Sequence, residues 1–137
     1  MRVDIGGSLV WTGSGLVFQG GADNAPSVVV DGNAVEAASP VQMLLISLAA
    51  CTGADIVDIL AKSRVDLRGL RIRMEAERAN EPPRRFIAIR LVYETTGLTE
   101  ADRPKLQRAV DLSNEKYCSV LHTLRKDIEF STEVVLG

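Results

Sequence analysis

Two cysteines and a single histidine are all that this 137-residue chain offers for soft metal ligation. One lone imidazole, His122, does not complete a Cys/His ligand set, so no metal is expected and nothing calls for a cofactor. An excess of either charge is also missing. Sixteen basic residues are mixed with 18 acidic ones for a formal net charge of −2, which leaves no basic footprint for phosphates and disfavours nucleic acid. Long apolar runs are absent: Val41 to Ala50 is broken by Gln42 and Ser47, well short of the roughly 20 residues that span a bilayer. A core helix is expected there, not a membrane anchor. The opening, Met1 to Gly7, lacks the apolar core and cleavage pattern of a secretory signal, so a cytoplasmic location is expected. Linkers, repeats and low-complexity segments are missing too, which leaves residues 1–137 as one expected domain.

What remains is an ordinary globular composition, 46% hydrophobic and 25% charged. Ser8 to Trp11 and Leu16 to Gln19 are β-prone runs around Thr12-Gly13-Ser14-Gly15, a hairpin pattern, and Ser27 to Val30 adds a third strand of a meander. The segment from Gly20 to Pro26 is expected to break the pattern before that third strand. Ser39-Pro40 is a helix start, with serine at the N-cap and proline at the first helical position. The helix is expected to run to about Ser63, and its stretch from Val41 to Ala54, apolar or small on almost every face, to be buried all round.

Leu70, Ile72, Met74 and Ala76 alternate with Arg71, Arg73, Glu75 and Glu77, the period of a strand with one solvated face. Asn80 to Pro83 supplies a turn, and Phe86 to Glu94 a partner strand. Thr99-Glu100-Ala101-Asp102 has the form of a helix cap. The second helix places Leu106, Ala109, Val110 and Ser113 on one stripe, breaks near Ser113-Asn114 and resumes around Cys118. Asp127 to Val135 alternates as a closing strand. The layout is α+β, in the order βββ-α-ββ-α-β, with two long helices against antiparallel sheets. The first helix has more apolar faces than one small sheet covers, so a homodimer is expected.

Chemistry rests on the cysteines. In a reducing compartment a permanent disulfide is disfavoured, which leaves core packing or redox chemistry for Cys51 and Cys118. Cys51 sits in Ala49-Ala50-Cys51-Thr52-Gly53-Ala54, small residues that keep bulk away from the sulfur, and shares a helix stripe with Ser47 and Asp55. It lies about three turns from the helix start, beyond the reach of the terminal dipole, and an ionised Asp55 opposes a thiolate. Cys118 is placed to open a short helix whose dipole favours a thiolate, with His122 one turn on to share its proton. Glu115 stands in the same segment.

Ser39-Pro40-Val41-Gln42-Met43-Leu44-Leu45 through Ala50-Cys51, together with Ser113 through Lys116-Tyr117-Cys118-Ser119-Val120, resembles the OsmC/Ohr family. The resemblance covers nearly the whole chain and is to the less characterised branch of that family. It implies an interwoven homodimer that reduces organic hydroperoxides at thiol sites on the subunit interface. Cys51 is then the peroxidatic cysteine and Cys118 the resolving one, an external dithiol restores both thiols, and Asp55, Glu115 and His122 are supporting candidates. Active members place a glutamate ten residues before the first cysteine and an arginine in the N-terminal glycine-rich turn. Here these positions hold Val41 and the arginine-free stretch Trp11 to Gly15. That departure motivates a rival reading: a non-catalytic dimer, or one of different specificity, whose cysteines line an apolar pocket for a small molecule.

Overall fold

The computed structural model describes residues 1–137, and the chain divides into two compact units, Met1–Leu45 and Ile46–Gly137. The first contains β1 (Gly7–Trp11), β2 (Val17–Ala22) and β3 (Val28–Asp31), an antiparallel sheet in the order β1-β2-β3. The expected break over Gly20 to Pro26 occurs, but it begins after Ala22 and not at Gly20. β2 continues to Ala22 and pairs Gly20 with Leu9, Gly21 with Ser8 and Ala22 with Gly7. A Cβ at Gly20 would run into the Ser8 carbonyl oxygen, so glycine here permits close backbone approach and does not end the strand.

β3 ends on buried Asp31, whose carboxylate accepts the N–H groups of Asn33 (2.8 Å), Val35 (3.1 Å) and Glu36 (3.0 Å). The Glu36 and Asn33 bonds hold its pKa below the ordinary value. The same carboxylate closes the turn after the strand. α1 (Pro40–Lys62) then begins as expected. Ser39 Oγ accepts the Gln42 N–H at 3.2 Å while Gln42 Oε1 accepts the Ser39 N–H at 2.9 Å, a reciprocal cap.

The second unit contains the rest of α1, then β4 (Gly69–Arg78), β5 (Phe86–Thr96), α2 (Arg103–Leu112), α3 (Ser119–Thr123) and β6 (Glu129–Leu136). A 3₁₀ turn at Glu100–Asp102 leads into α2, and a π-helical turn at Ser113–Tyr117 separates α2 from α3. The sheet order is β4-β5-β6, with β5 central. β4 and β5 form the antiparallel hairpin, while β6 lies parallel to β5. Side-chain alternation marks β6 as a strand but carries no information about its direction. The architecture as a whole is α+β.

The core of this unit gathers Ile89, Leu91 and Tyr93 of β5, Leu106, Ala109 and Val110 of α2, and Leu48, Ile56 and Leu60 of α1. α1 is not buried all round. Leu48, Ala49, Thr52, Gly53, Ile56 and Leu60 are covered, whereas Ile46 and Val57 are exposed, because one face of one sheet covers one stripe of a helix. Gly53 lets the helix sit close to the sheet, since a Cβ there would lie 2.7 Å from Ile72 Cδ1. By length and composition alone the 23-residue helix is apolar enough to cross a membrane, with a mean hydropathy of 1.9 over its most apolar window. It also carries Asp55 and Asp58 and packs on its own sheet.

Candidate functional site

Cys51 and Cys118 come from distant parts of the sequence and are positioned by different devices. Regular α1 geometry places Cys51, half-buried, one turn before half-buried Asp55. Cys118 depends on the π-helical turn. Its N–H donates to the Ser113 carbonyl at 2.9 Å and closes the wide turn; its backbone then extends (φ −72°, ψ 101°) to cap α3. Its sulfur accepts the Leu121 N–H at 3.3 Å. Single π turns of this kind recur at functional sites because they displace one residue from helical register.

A polar link joins the two cysteine segments. Ser113, fully buried as the first residue of the π-helical turn, donates from Oγ to Asp55 Oδ2 at 2.8 Å. Asp55 therefore does connect to the site, through a serine and not through sulfur. Both cysteines are free thiols. Burial pushes the Cys118 thiol up to about 11; the Leu121 N–H works against that rise, and the Cys51 side chain adds to it by hydrogen bonding and by charge. The last two effects require the sulfurs to be near neighbours. A thiolate at Cys118 was expected from the helix dipole; desolvation outweighs a five-residue helix, and the thiol is protonated at neutral pH.

The other expected supporting residues lie elsewhere. The His122 ring is exposed, with Nε2 3.0 Å from the Asn114 carbonyl oxygen, so that nitrogen carries a proton and donates to the backbone. It borders a cleft of about 150 Å³ with Ile89, Leu121, Arg125 and Phe130. Glu115 is exposed and faces a surface cleft with Gln107, Arg108 and Asp111.

One residue next to Thr52 escapes sequence reasoning. Tyr93, in the middle of β5, is fully buried, and its hydroxyl has no hydrogen-bond partner. Burial pushes it up to about 12, the neighbouring Thr52 hydroxyl tempers the shift, and a charge on Cys118 adds to it. Thr52 itself donates to the Ala49 carbonyl at 3.1 Å. In sequence, a tyrosine inside an apolar strand reads as core; nothing in its neighbours marks the hydroxyl as unpaired.

Of the two thiols, Cys51 has partial access to solvent and Cys118 is buried.

Residues 31–133 match the family model described as OsmC-like protein. Protein YhfA of Escherichia coli strain K12 is 40% identical over 124 residues, which cover 88% of this chain and 92% of that protein. The crystal structure of a hypothetical protein from Aquifex aeolicus VF5 is 26% identical, with a TM-score of 0.81, covering 100% of this chain and 99% of that one. An organic hydroperoxide resistance protein from Elizabethkingia anophelis shares the fold, with a TM-score of 0.68 at 14% identity, covering 100% of this chain and 99% of that one.

Proposed function

Since the chain belongs to the OsmC-like family, we propose that it reduces organic hydroperoxides through Cys51 and Cys118. The observation that carries this reading is the pairing of a partly accessible thiol with a buried, protonated one next to it. Solved relatives of the same fold that bear the name organic hydroperoxide resistance protein add support.

The Cys51 thiolate attacks the distal peroxide oxygen, the O–O bond breaks, and the alkoxide takes up a proton and leaves as an alcohol. Sulfur is oxidised to a sulfenic acid and the peroxide is reduced. Cys118 then gives up its proton and attacks the Cys51 sulfur; the hydroxyl departs as water and a disulfide forms. An external dithiol reduces that disulfide and becomes a disulfide itself. Accessibility assigns the order, because a peroxide reaches half-buried Cys51 before fully buried Cys118. Catalysis here proceeds with Val41 and the arginine-free Trp11–Gly15 turn where active relatives carry their activating pair.

We infer further that the protein works as a homodimer in a reducing, cytoplasmic setting. Leu9, Val10, Trp11, Leu16, Phe18, Val28 and Val29 of the first unit are all exposed, an apolar area that a second copy would cover.

The missing activating pair favours a second reading, in which the family fold binds an apolar small molecule without turning it over. Steady-state reduction of cumene hydroperoxide with a dithiol, in wild type, Cys51→Ser and Cys118→Ser, separates the two. The enzyme reading expects turnover in the wild type only. A wild type no faster than Cys51→Ser leaves the binding reading.

A further inference from the structure

Asp55 stands on the same face of α1 as Cys51, one helical turn further on, and both are half-buried. Side chains four residues apart on a helix are surface neighbours, with Cβ atoms about 5–6 Å apart. A carboxylate there lies within a Debye length of the Cys51 sulfur and of whatever approaches it at physiological salt. Ser47, Ala50 and Ala54 complete that face, all of them exposed and none larger than serine, so no bulky side chain of the helix stands between the charge and the approach to sulfur.

The carboxylate is held in place. Ser113 Oγ donates to Asp55 Oδ2 at 2.8 Å, and Ser113 is itself fixed, fully buried and accepting the Cys118 N–H on its carbonyl at 2.9 Å. A hydroxyl donor orients a negative charge without cancelling it. Asp55 takes part in none of the chain's ion pairs. The cations of the two segments are engaged elsewhere: Lys62 of α1 bonds to Asp58 at 2.9 Å, and Lys116 of the π-helical turn lies over the Tyr117 ring, 5.3 Å from its centre. Neither segment contains an arginine.

We propose that Asp55 is a specificity-determining residue that selects by charge what Cys51 meets: uncharged organic hydroperoxides are admitted, and those that carry a carboxylate, such as a free fatty-acid hydroperoxide, are held off. The inference rests on the reading of Cys51 as the thiol that meets the peroxide. Asp55 neither gives nor takes a proton in that step. Its charge acts through space on the approach, while the sulfur attacks the distal oxygen, the O–O bond breaks and the alcohol leaves.

Two methanethiosulfonates of similar size, one cationic (trimethylammonioethyl) and one anionic (sulfonatoethyl), test this on Cys51 without any peroxide. The thiolate attacks the sulfenyl sulfur, methanesulfinate leaves, and a mixed disulfide remains. Reduced full-length Cys118→Ser protein presents Cys51 as its only thiol. Each rate is divided by that of the same protein unfolded in urea, which removes the reagents' own difference. At low ionic strength the cationic reagent is expected to lead by roughly five- to twentyfold, and the lead to shrink as salt is added. Adding Asp55→Asn, whose amide oxygen still accepts the Ser113 hydroxyl, should bring the rates within about twofold of each other, whereas adding Ser113→Ala keeps the charge and the lead. Equal rates with Asp55 in place, or a lead that survives Asp55→Asn, would overturn the proposal. Should Asp55→Asn fail to fold, salt decides alone, since a lead that ignores it overturns the proposal equally. In the wild type a fatty-acid hydroperoxide should then be reduced more slowly than its methyl ester. A wild type that reduces neither removes the proposed activity, whereas the reagent ratio decides the role of Asp55 by itself.

Discussion

The two units of this chain use apolar residues in opposite ways. In Ile46–Gly137 they are enclosed: Leu48, Ile56, Leu91, Tyr93 and Leu106 are wholly inaccessible, and the candidate site sits among them. In Met1–Leu45 they are displayed. Val10 is 66% exposed and Trp11 56%, and the buried side chains of that unit's sheet are Val17 and Asp31. Successive residues of a strand face opposite sides of its sheet, so exposure at both Val10 and Trp11 means that each face of the small sheet displays apolar side chains. One unit closes its apolar side chains over Cys118, while the other carries apolar side chains on its surface.

The sharpest way to break this contrast is to remove core volume. Leu91→Ala is expected to cost about 2–5 kcal/mol in urea unfolding, and a loss under about 1 kcal/mol would mean that the second unit is less well filled than it looks. Next comes Ser113→Ala, which removes the 2.8 Å bond to Asp55. It should cost roughly 1.5–3 kcal/mol and, by loosening the turn before Cys118, slow disulfide formation; unchanged closure would show that the Ser113–Asp55 link positions nothing.

Extremes of pH sharpen the comparison from opposite ends. Cys118 and Tyr93 are pushed up to about 11 and about 12 in the folded chain, so the native state retains protons that the unfolded chain gives up. The stability this supplies is complete below their ordinary values of 9.0 and 10.0 and is lost as pH rises through about 11 and 12. Asp31 runs the other way. Its lowered pKa contributes stability above the ordinary carboxylate value of 3.8, which is lost as pH falls. Urea midpoints across pH should therefore fall on the alkaline side less in Tyr93→Phe than in wild type, and on the acid side less in Asp31→Asn. The smallest effect on the chain's own stability belongs to Val10→Ser, within about 0.5 kcal/mol for an exposed site. Its consequence should appear in sedimentation, as weaker self-association; wild-type protein that sediments as a monomer would remove the shared-surface account.

Much of the fold was legible because its causes are local. The alternation from Leu70 to Glu77, the Ser39-Pro40 start and the stripe of Leu106, Ala109, Val110 and Ser113 each follow from one element's own periodicity or capping. What sequence missed depends on neighbours. Gly20 reads as a breaker until β1 approaches it, and β6 has a direction only against β5. The exposure of Ile46 and Val57 follows from how little one sheet covers. The site divides in the same way. Both cysteines stand out by their surroundings in the chain, but the nearness of their sulfurs, the link from Asp55 through Ser113 and the unpaired Tyr93 hydroxyl arise from long-range packing. His122 lies one turn from Cys118 in sequence, and its ring nitrogen Nε2 meets the Asn114 carbonyl, a contact that spacing does not reveal.

The central claim is that Cys51 and Cys118 act as one redox unit, and intact mass measures it most directly. Reduced protein given one equivalent of cumene hydroperoxide should lose two hydrogens in the wild type, with the Cys51 and Cys118 peptides linked. Under the same treatment Cys118→Ser should gain one oxygen. Wild-type protein whose mass does not change, or that gains oxygen without linking the two peptides, would contradict the account.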